Sequence, residues 1–420
     1  MIGVALVICQ TLMLIATCYG LYQGFMALPL TPWRKYPPVE NEPTNRFAIL
    51  VFAKNEEPVI GNLLQSLTSQ DYPAESYDIF VTADNCTDQT AAKAAEHGAI
   101  VAERNDRSHI GKGYALHWFF ERFSKEHADR YDACVVFDAD NIVEPGFLAA
   151  MNRQLNRGNH IALGYRMGKN PTSSWVSGVT TLFWLLQTRF IHRPRVRRGL
   201  PCLSVGGTGF MFSLDVLGDG QWQTTSAAED IEFTLSAIAA GHSVTIATDA
   251  IFYDEQPLKF SQSLTQRYRW TVGSFQAMLS CVPKLWKSAK LGRLAKFDAL
   301  AYAVGVPVAA VSAIAGVVST LLLLLWTGNW QLLATATAAM AVLAYLGTCW
   351  VAWLALRLEK TSWPGDWKAI ATFPLFMLSW SVLYVVVLFY RNTTWQTIPH
   401  VEAFGLDKVI RRRRPQALAE

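Results

Sequence analysis

Charged residues are scarce in this sequence. Of its 420 residues, 17% are Asp, Glu, Lys or Arg, whereas 51% are hydrophobic. An ordinary soluble chain carries about 25% charged residues. The shortage of charge therefore argues against a purely soluble protein and indicates a membrane component.

Charge is missing altogether from three long segments, residues 1–33, 299–356 and 369–390. A helix that crosses a bilayer needs about 20 apolar residues. The lengths predict one crossing at the start of the chain, a hairpin of two crossings, and one crossing near the end. Because the first segment also lacks the positive start of a secretory signal, we expect an uncleaved anchor.

Paired cysteines are also missing. The seven cysteines are scattered, and no two of them have the CxxC spacing. This pattern indicates neither a disulfide framework nor a zinc site. Reduced thiols are typical of a cytoplasmic protein.

Positive charge accumulates directly before the second uncharged segment. Membrane proteins carry such an excess of Lys and Arg on their cytoplasmic side. We therefore expect the charged region 34–298 to be cytoplasmic. The residues concerned are Lys284, Lys287, Lys290, Arg293 and Lys296.

The basic tail conflicts with three full crossings after this region. Such a topology would place Arg411 to Arg414 outside, against the same charge rule. We therefore expect one uncharged segment not to span fully. The candidate is the stretch 299–326, which is longer than one crossing requires and would begin as an interfacial helix.

Apolar runs and helical patterns alternate through the charged region. This order predicts βα units and a mainly parallel, Rossmann-like sheet. Strands are predicted within residues 47–57, 77–88, 99–106, 131–141, 161–167, 209–217 and 244–255.

One apolar and aromatic segment, residues 175–200, ends in a cluster of arginines. It is typical of a surface helix with a solvated basic end. It also fits a helix that lies on the membrane or closes over phosphates.

Two glycine-rich stretches lack the spacing of nucleotide-binding fingerprints. In "HIGKGYAL", Asp106 stands where the first glycine of a Walker A motif belongs, and Gly113 replaces its Ser or Thr. "SVGGTGFMF" lacks the dinucleotide spacing and runs into a strand. The sequence therefore supports neither an ATPase nor a dehydrogenase.

Acidic residues follow three of the predicted strands, at Glu56, Asp84 and the pair Asp138 and Asp140. Two carboxylates this close raise each other's pKa unless a cation lies between them. Mg²⁺ binds through one or two carboxylates plus substrate phosphates. A lone Asp-x-Asp is also common in solvated turns, but its position after a strand favours a site for Mg²⁺ or Mn²⁺.

Four motifs occur in order: "AKNEE" after the first strand, "FDADN" after the fourth, "AEDIEF" at a helix start, and "QRYRW" before the second uncharged segment. With them the sequence resembles the membrane-embedded family 2 glycosyltransferases, which include the cellulose, chitin, hyaluronan and poly-N-acetylglucosamine synthases. The resemblance covers Ala48 to Trp270. It implies an α/β GT-A fold, helical transmembrane segments and a UDP-sugar donor.

The resemblance also implies roles for individual residues. Asp138 and Asp140 would hold the metal and the diphosphate, and Asp230 would be the general base of an inverting transfer. Donor-binding residues would be Glu56, Asp84, Lys112, Asp138, Gln266 and Arg269. Acceptor-binding residues would be Gly207, Thr208, Gly209, Glu229 and Trp270.

Structural alternatives exist for three of these assignments. Ser226 and Glu229 have the spacing of a capping box. Arg269 and Trp270 fit an amphipathic helix whose arginine reaches the membrane interface and whose tryptophan lies in the aromatic belt. "ADNCTD", at Asp84, also departs from the paired aspartates of several relatives.

The sequence thus predicts a multi-pass protein of the cell membrane. Its predicted parts are an anchor (1–33), a cytoplasmic GT-A domain (34–258), interfacial helices (259–298), transmembrane helices (299–390) and a basic tail (391–420).

The leading hypothesis for its function is a processive, inverting synthase that polymerises a UDP-sugar into a β-linked polysaccharide and secretes it. So few crossings would require a homo-oligomer or a secretion partner. The alternative is transfer of one sugar to a membrane lipid. A non-catalytic scaffold or transporter would not need the acids, and we expect no nucleic-acid partner.

Overall fold

One eight-stranded sheet organises the computed structural model, which describes residues 2–28, 44–392 and 405–406. The remainder of the predicted basic tail lies outside the described residues. The strands are β1 (Phe47–Ala53), β2 (Tyr77–Asp84), β3 (Ile100–Arg104), β4 (Ala133–Asp138), β5 (Ile142–Val143), β6 (Ile161–Gly168), β7 (Phe210–Ser213) and β8 (Val244–Asp254).

The spatial order of the strands is β3-β2-β1-β4-β7-β6-β8-β5. The first four in this order are parallel, β7 runs antiparallel to both neighbours, and β6 is parallel to β8. Both faces of β1 are buried, since Leu50 packs on one side and Ile49 and Val51 on the other. Strands covered on both faces have continuous apolar sequences, as found here.

Thirteen helices accompany the sheet among the described residues. They are α1 (Ile2–Ala27), α2 (Ile60–Thr68), α3 (Thr90–Glu96), α4 (Lys112–Glu126), α5 (Phe147–Asn156), α6 (Trp175–Leu186), α7 (Arg193–Arg197), α8 (Glu229–Ala239), α9 (Phe260–Lys287), α10 (Arg293–Ala303), α11 (Gly305–Thr327), α12 (Trp330–Leu358) and α13 (Asp366–Phe389). The predicted α/β class with additional apolar helices is confirmed.

Four helices, α1, α11, α12 and α13, are long and apolar enough to cross a membrane. α1 and α11 are antiparallel neighbours: Gly3 lies beside Trp326, and Gly305 lies beside the Tyr19 hydroxyl. The helical structure is interrupted between α10 and α11, so residues 299–303 belong to the separate short helix α10.

α13 stays beside the sheet-bearing part of the chain at both ends. Near its start, Ala369 packs against Gly178 of α6. At its end, the Tyr268 hydroxyl of α9 donates to the carbonyl of Tyr390 (3.1 Å), and Val387 packs on Phe275 of α9. α13 therefore lies along α6 and α9, and its far end does not project away from them.

The arginines that follow α6 are paired with acids, in contrast to the solvated end and the phosphate lid considered from the sequence. Arg189 and Arg193 contact Glu359 at the end of α12. Arg195 binds Asp298 of α10 (2.9 Å), and both side chains are fully buried. Arg198 donates to the Met26 carbonyl at the end of α1. This segment connects the sheet domain to the apolar helices.

Loss of one partner from the buried Arg195–Asp298 pair should destabilise the protein. For Arg195→Met we expect a loss of about 3–5 kcal/mol, because Asp298 would keep an uncompensated charge. The thermal midpoint in detergent, followed by tryptophan fluorescence, measures the effect.

The matched control is Arg153→Met. Arg153 pairs with Asp249 at the surface, where the two side chains are 23% and 53% exposed. Such a pair contributes about 1 kcal/mol or less. Equal midpoints for the two variants would contradict the role given to the buried pair.

Candidate active site

The ends of β2 and β3 form a small buried charge network. Asp84 accepts hydrogen bonds from Arg104 Nη1 (2.7 Å) and from Asn85 Nδ2 (2.8 Å). Burial raises the pKa of Asp84, and the Arg104 guanidinium opposes that increase. Arg104 also binds Asp106 (3.0 Å), so it orders the loop that leads to α4. The sequence analysis did not identify Arg104, because Arg104 lies on β3 whereas its partner Asp84 lies on the neighbouring strand β2.

Glu56 lies in the neighbouring loop after β1. Its backbone N–H donates to Thr90 Oγ1 at the start of α3 (2.9 Å). In the same loop, Asn55 Oδ1 accepts from the Thr87 N–H (2.7 Å). The loops that carry Glu56 and Asp84 are therefore tied to each other at one edge of the sheet, as predicted for parallel strands.

The Asp-x-Asp pair follows β4 at the same edge. Lys112 forms an ion pair with Asp138. Its Nζ lies 2.5 Å from Asp138 Oδ1 and 2.7 Å from the Gly207 carbonyl oxygen. Asp140 is buried, and its carbonyl accepts from Lys169 Nζ (3.2 Å). Lys112 thus joins the start of α4, the end of β4 and the glycine-rich loop before β7.

A third carboxylate, Asp254 at the end of β8, approaches this pair. Asn141 Nδ2 lies between Asp140 (3.3 Å) and Asp254 (3.1 Å). Burial raises the pKa of Asp254 to about 7; Arg166 opposes this rise, and the charges of Asp140 and Asp138 reinforce it. The sequence analysis missed Asp254, although it ends a strand just as Asp138 does.

The donor set fits a divalent metal ion. Asp138, Asp140 and Asp254 approach one another at this edge; burial is the main cause of the raised pKa of Asp254, and the charges of Asp140 and Asp138 add to it. Hard cations with oxygen ligands relieve such repulsion and bind phosphates at the same time. Asp138 and Asp140 are therefore suited to hold Mg²⁺ or Mn²⁺, with Asp254 close by.

Arg166, in the middle of β6, is a central cation that the sequence analysis also missed. It donates to the Gly206 carbonyl and lies 3.6 Å from Asp254. Its guanidinium stacks over the Trp184 ring at 3.9 Å. A lone arginine in an apolar strand was the signal that could have identified it.

Asp230 and Glu229 occupy the first turn of α8, opposite the sheet edge that carries Asp138 and Asp140. Burial raises the pKa of both carboxyls. The pKa of Glu229 reaches about 7, because the charge of Asp230 adds to burial while Lys112 and Arg269 oppose it. Two adjacent acids with raised pKa values are typical of proton-transfer sites.

The predicted capping box is wrong. α8 begins at Glu229 after an N-cap at Ala228, and no side chain caps it. Glu232 instead accepts from the backbone N–H groups of Thr225 (2.9 Å) and Ser226 (2.8 Å). Glu229 is therefore not engaged as a cap, and its Cβ lies beside Gly113 at the start of α4.

The three residues of the predicted acceptor loop have different surroundings. A side chain at Gly207, where φ is +80°, would lie 3.8 Å from Asp230 Oδ2. Thr208 is buried; its hydroxyl accepts from the Asp138 N–H (2.9 Å) and donates to Asn141. A Cβ at Gly209 would lie 2.2 Å from Phe252, so close packing explains that glycine.

The "QRYRW" residues lie in the second and third turns of α9. Trp270 packs between Trp184 (5.5 Å) and Trp380 (6.3 Å), and not in an exposed aromatic belt. The charge of Arg269 reaches Glu229 and lowers its pKa. Gln266 is half-buried on the same helix. This motif therefore borders the side of the cleft formed by α8.

Together these features define a class of protein. A parallel sheet edge carries an Asp-x-Asp pair with a lysine, and a pair of acids faces it from a helix start. This is the architecture of a GT-A glycosyltransferase. The chain belongs to the family described as "Glycosyltransferase like family 2", whose profile matches residues 43–273.

Two curated relatives are similar over part of the chain. "Probable glycosyltransferase YdaM" of Bacillus subtilis is 24% identical over 252 residues, 58% of each chain. "Beta-monoglucosyldiacylglycerol synthase" of Synechocystis sp. is 26% identical over 340 residues, 78% of this chain and 66% of the relative. The chain therefore spans less than two thirds of the length of either relative.

One solved structure shares the fold over almost the whole chain. It is the mannosyltransferase PcManGT from Pyrobaculum calidifontis in complex with GDP-Man and Mn²⁺. The TM-score is 0.62 at 15% identity, covering 93% of this chain and 99% of the other. This likeness confirms the GT-A fold.

Removal of the Arg166 charge should shift the pH dependence of sugar transfer. Arg166 lowers the pKa of Asp230, so Arg166→Gln should raise that pKa further. If Asp230 acts as an ionised base, the acidic limb of kcat/KM then moves to higher pH. Arg166→Lys keeps the charge and should leave the limb near its original position. If the pH profile of kcat/KM for Arg166→Gln showed a lower plateau but an acidic limb at the same pH, the arginine would act only by packing.

Proposed function

We propose that this protein is an inverting glycosyltransferase that transfers one sugar from a nucleoside diphosphate donor to the hydroxyl of a membrane lipid. The donor class that fits the sequence is a UDP-hexose. The observation that carries the proposal is the position of Asp230, at a helix start that packs directly against the membrane-side helix α9.

The contact between α8 and α9 is unusually close. A side chain at Gly273 of α9 would lie 2.2 Å from the backbone nitrogen of Ala228. The N–H of Ala227 donates to Gln276 of α9 (2.9 Å). Burial raises the pKa of the Tyr302 phenol on α10, and Asp230 is near enough for its charge to add to that rise. An acceptor that arrives from the bilayer therefore meets the carboxylate without a long path.

Polymer secretion lacks support from the apolar helices. Trp380 of α13 is buried, and its Nε1 donates to Thr271 (3.0 Å). Ser379 accepts from Arg267 (2.9 Å). Because these polar groups bond to the protein, they offer little to a sugar chain crossing the membrane. The curated relative named for a monoglucosyldiacylglycerol product favours the lipid acceptor as well.

Donor binding is assigned to the sheet edge that carries Asp138 and Asp140. Asp138 and Asp140 would hold Mg²⁺ or Mn²⁺, which neutralises the diphosphate leaving group when bound. Lys112 is placed to bind a phosphate oxygen, since its ammonium already lies against Asp138. Glu56 and Asp84 would hold the nucleoside, and Gln266 and Arg269 the far side of the diphosphate.

Acceptor activation is assigned to Asp230. Ionised, it removes the proton from the attacking hydroxyl, and no second carboxylate is needed as a nucleophile. One displacement then inverts the anomeric carbon, so an α-linked donor gives a β-linked product. Gly207 leaves space next to Asp230 for the acceptor, and Trp270 and Glu229 border it.

The orientation we propose is a catalytic domain (34–258) in the cytoplasm, with interfacial helices (259–298) beneath it. α1, α11 and α12 cross the bilayer. α13 does not cross, because both of its ends contact helices α6 and α9. This arrangement would keep the basic tail on the cytoplasmic side, in agreement with the positive-inside rule.

The product decides between the two transfer reactions. Purified protein receives radiolabelled UDP-sugars, UDP-glucose first, with diacylglycerol in mixed micelles and either Mn²⁺ or EDTA. We expect one solvent-extractable, metal-dependent glycolipid of fixed size. A ladder or a high-molecular-weight product made without lipid would instead establish a polysaccharide synthase.

Substitution of the base should remove turnover and leave donor binding intact. For Asp230→Asn we expect kcat to fall by about 10²–10⁴-fold, the range of general-base contributions. Binding of UDP, measured by calorimetry, should be retained. Asp249→Asn, an exposed aspartate paired with Arg153, is the control. Retention of full activity by Asp230→Asn would reject the assignment.

Thiol labelling in intact cells tests the orientation, in a background without native cysteines. Thr68→Cys in the catalytic domain and Asn392→Cys after α13 should react only after permeabilisation. Thr327→Cys at the end of α11 should react from outside. Labelling of Asn392→Cys in intact cells would mean that α13 spans the membrane.

A further inference from the structure

A second cluster of chemically active side chains lies at the edge of the sheet opposite the carboxylates. His160 directly precedes β6, Asp215 follows β7 by two residues, and His242 precedes β8 by two residues. Because β7 is antiparallel to β6 while β6 is parallel to β8, these three strand ends meet at one edge. The proposed glycosyltransfer reaction has no use for this cluster.

The three side chains converge closely. One ligand atom from each lies within 4.8 Å of the others, and this is the one such group of three among the described residues. His160 Nε2 is 3.6 Å from Asp215 Oδ2, and the two imidazole rings are 4.9 Å apart. Ligand atoms around a tetrahedral Zn²⁺ are about 3.4 Å apart for bonds of about 2.1 Å. Small side-chain rotations are therefore enough to close the site.

Hydrogen bonding at Ser243 sets the orientation of His160. The Ser243 hydroxyl donates to the Gly158 carbonyl (3.1 Å) and lies 2.9 Å from His160 Nδ1. The backbone N–H of Ser243 donates to the same Nδ1 (3.3 Å). These contacts hold the imidazole so that Nε2 faces the Asp215 carboxylate, 3.6 Å away. A ring nitrogen and a carboxylate oxygen at this separation can bind one cation between them.

The second histidine is available as a ligand. The His242 ring lies 4.9 Å from the His160 ring at an interplanar angle of 72°, so its nitrogen approaches the same point as His160 and Asp215. A neutral imidazole is the form that binds metals.

We propose that His160, Asp215 and His242 form a structural Zn²⁺ site, with water as the fourth ligand. Two imidazoles and one carboxylate suit Zn²⁺, whereas Mg²⁺ prefers oxygen ligands alone. The ion would join the ends of β6, β7 and β8 on the side away from the donor site. The protein would then hold two metals of different chemistry at opposite edges of one sheet.

Calorimetric titration with ZnCl₂ tests the site, using full-length protein without a histidine tag after treatment with chelator. We expect one Zn²⁺ per chain, with binding that survives an excess of Mg²⁺. His160→Gln, Asp215→Asn and His242→Gln should each abolish that binding. Ser243→Ala removes the group that orients His160 and should weaken binding by about 10- to 100-fold.

The matched control is His97→Gln, which changes an exposed histidine at the end of α3. This variant should bind Zn²⁺ as the wild type does. Zn²⁺ should raise the thermal midpoint of the wild type and of this control, but not of His160→Gln. Mn²⁺-dependent transfer should be unchanged in all of them. Absence of binding would leave a plain His160–Asp215 ion pair, and equal binding by every variant would reveal an adventitious ion only; either result overturns the proposal.

Discussion

Repulsion among carboxylates at one sheet edge is the constraint on which the rest of this structure depends. Parallel strands end together, so Asp138, Asp140 and Asp254 reach the same place, where Lys112, Arg166 and Lys169 lie beside them. Burial makes the negative charge costly. A divalent cation bound there would offset that cost, which is the physical basis for proposing a donor site at this edge.

The opposite wall of the cleft depends on close approach between helices. Gly273 has no side chain, so α9 can contact the backbone where α8 begins. That contact fixes Asp230 and Glu229 with respect to the membrane-side helices and brings Arg269 within electrostatic range of Glu229. The sheet thus positions the residues proposed to bind the donor, while the packing of two helices positions the proposed base. The proposed transfer to a lipid requires both.

The junction itself is held by buried ion pairs. Glu359 stands at the end of the apolar helix α12, Asp298 lies within the short helix α10, and the arginines after α6 bind both. In a region short of water, such pairs are demanding in geometry. They therefore restrict the position of the apolar helices relative to the sheet domain. The positions of the site residues next to those helices are restricted as a result.

Sequence by itself determined the strands, the uncharged segments and the motif acids, because periodicity, composition and strand-end carboxylates are local signals. It therefore gave the α/β class and the positions of Asp84, Asp138, Asp140 and Asp230. Only the tertiary structure decided the partners of distant residues. Arg166 and Asp254 join the site through neighbouring strands, and Glu232, not Glu229, binds the backbone just before α8. Likewise, composition gives α13 the length and apolarity of a crossing, but only the structure shows that its two ends contact α6 and α9. Hydropathy measures what a helix is made of, whereas packing decides where it lies.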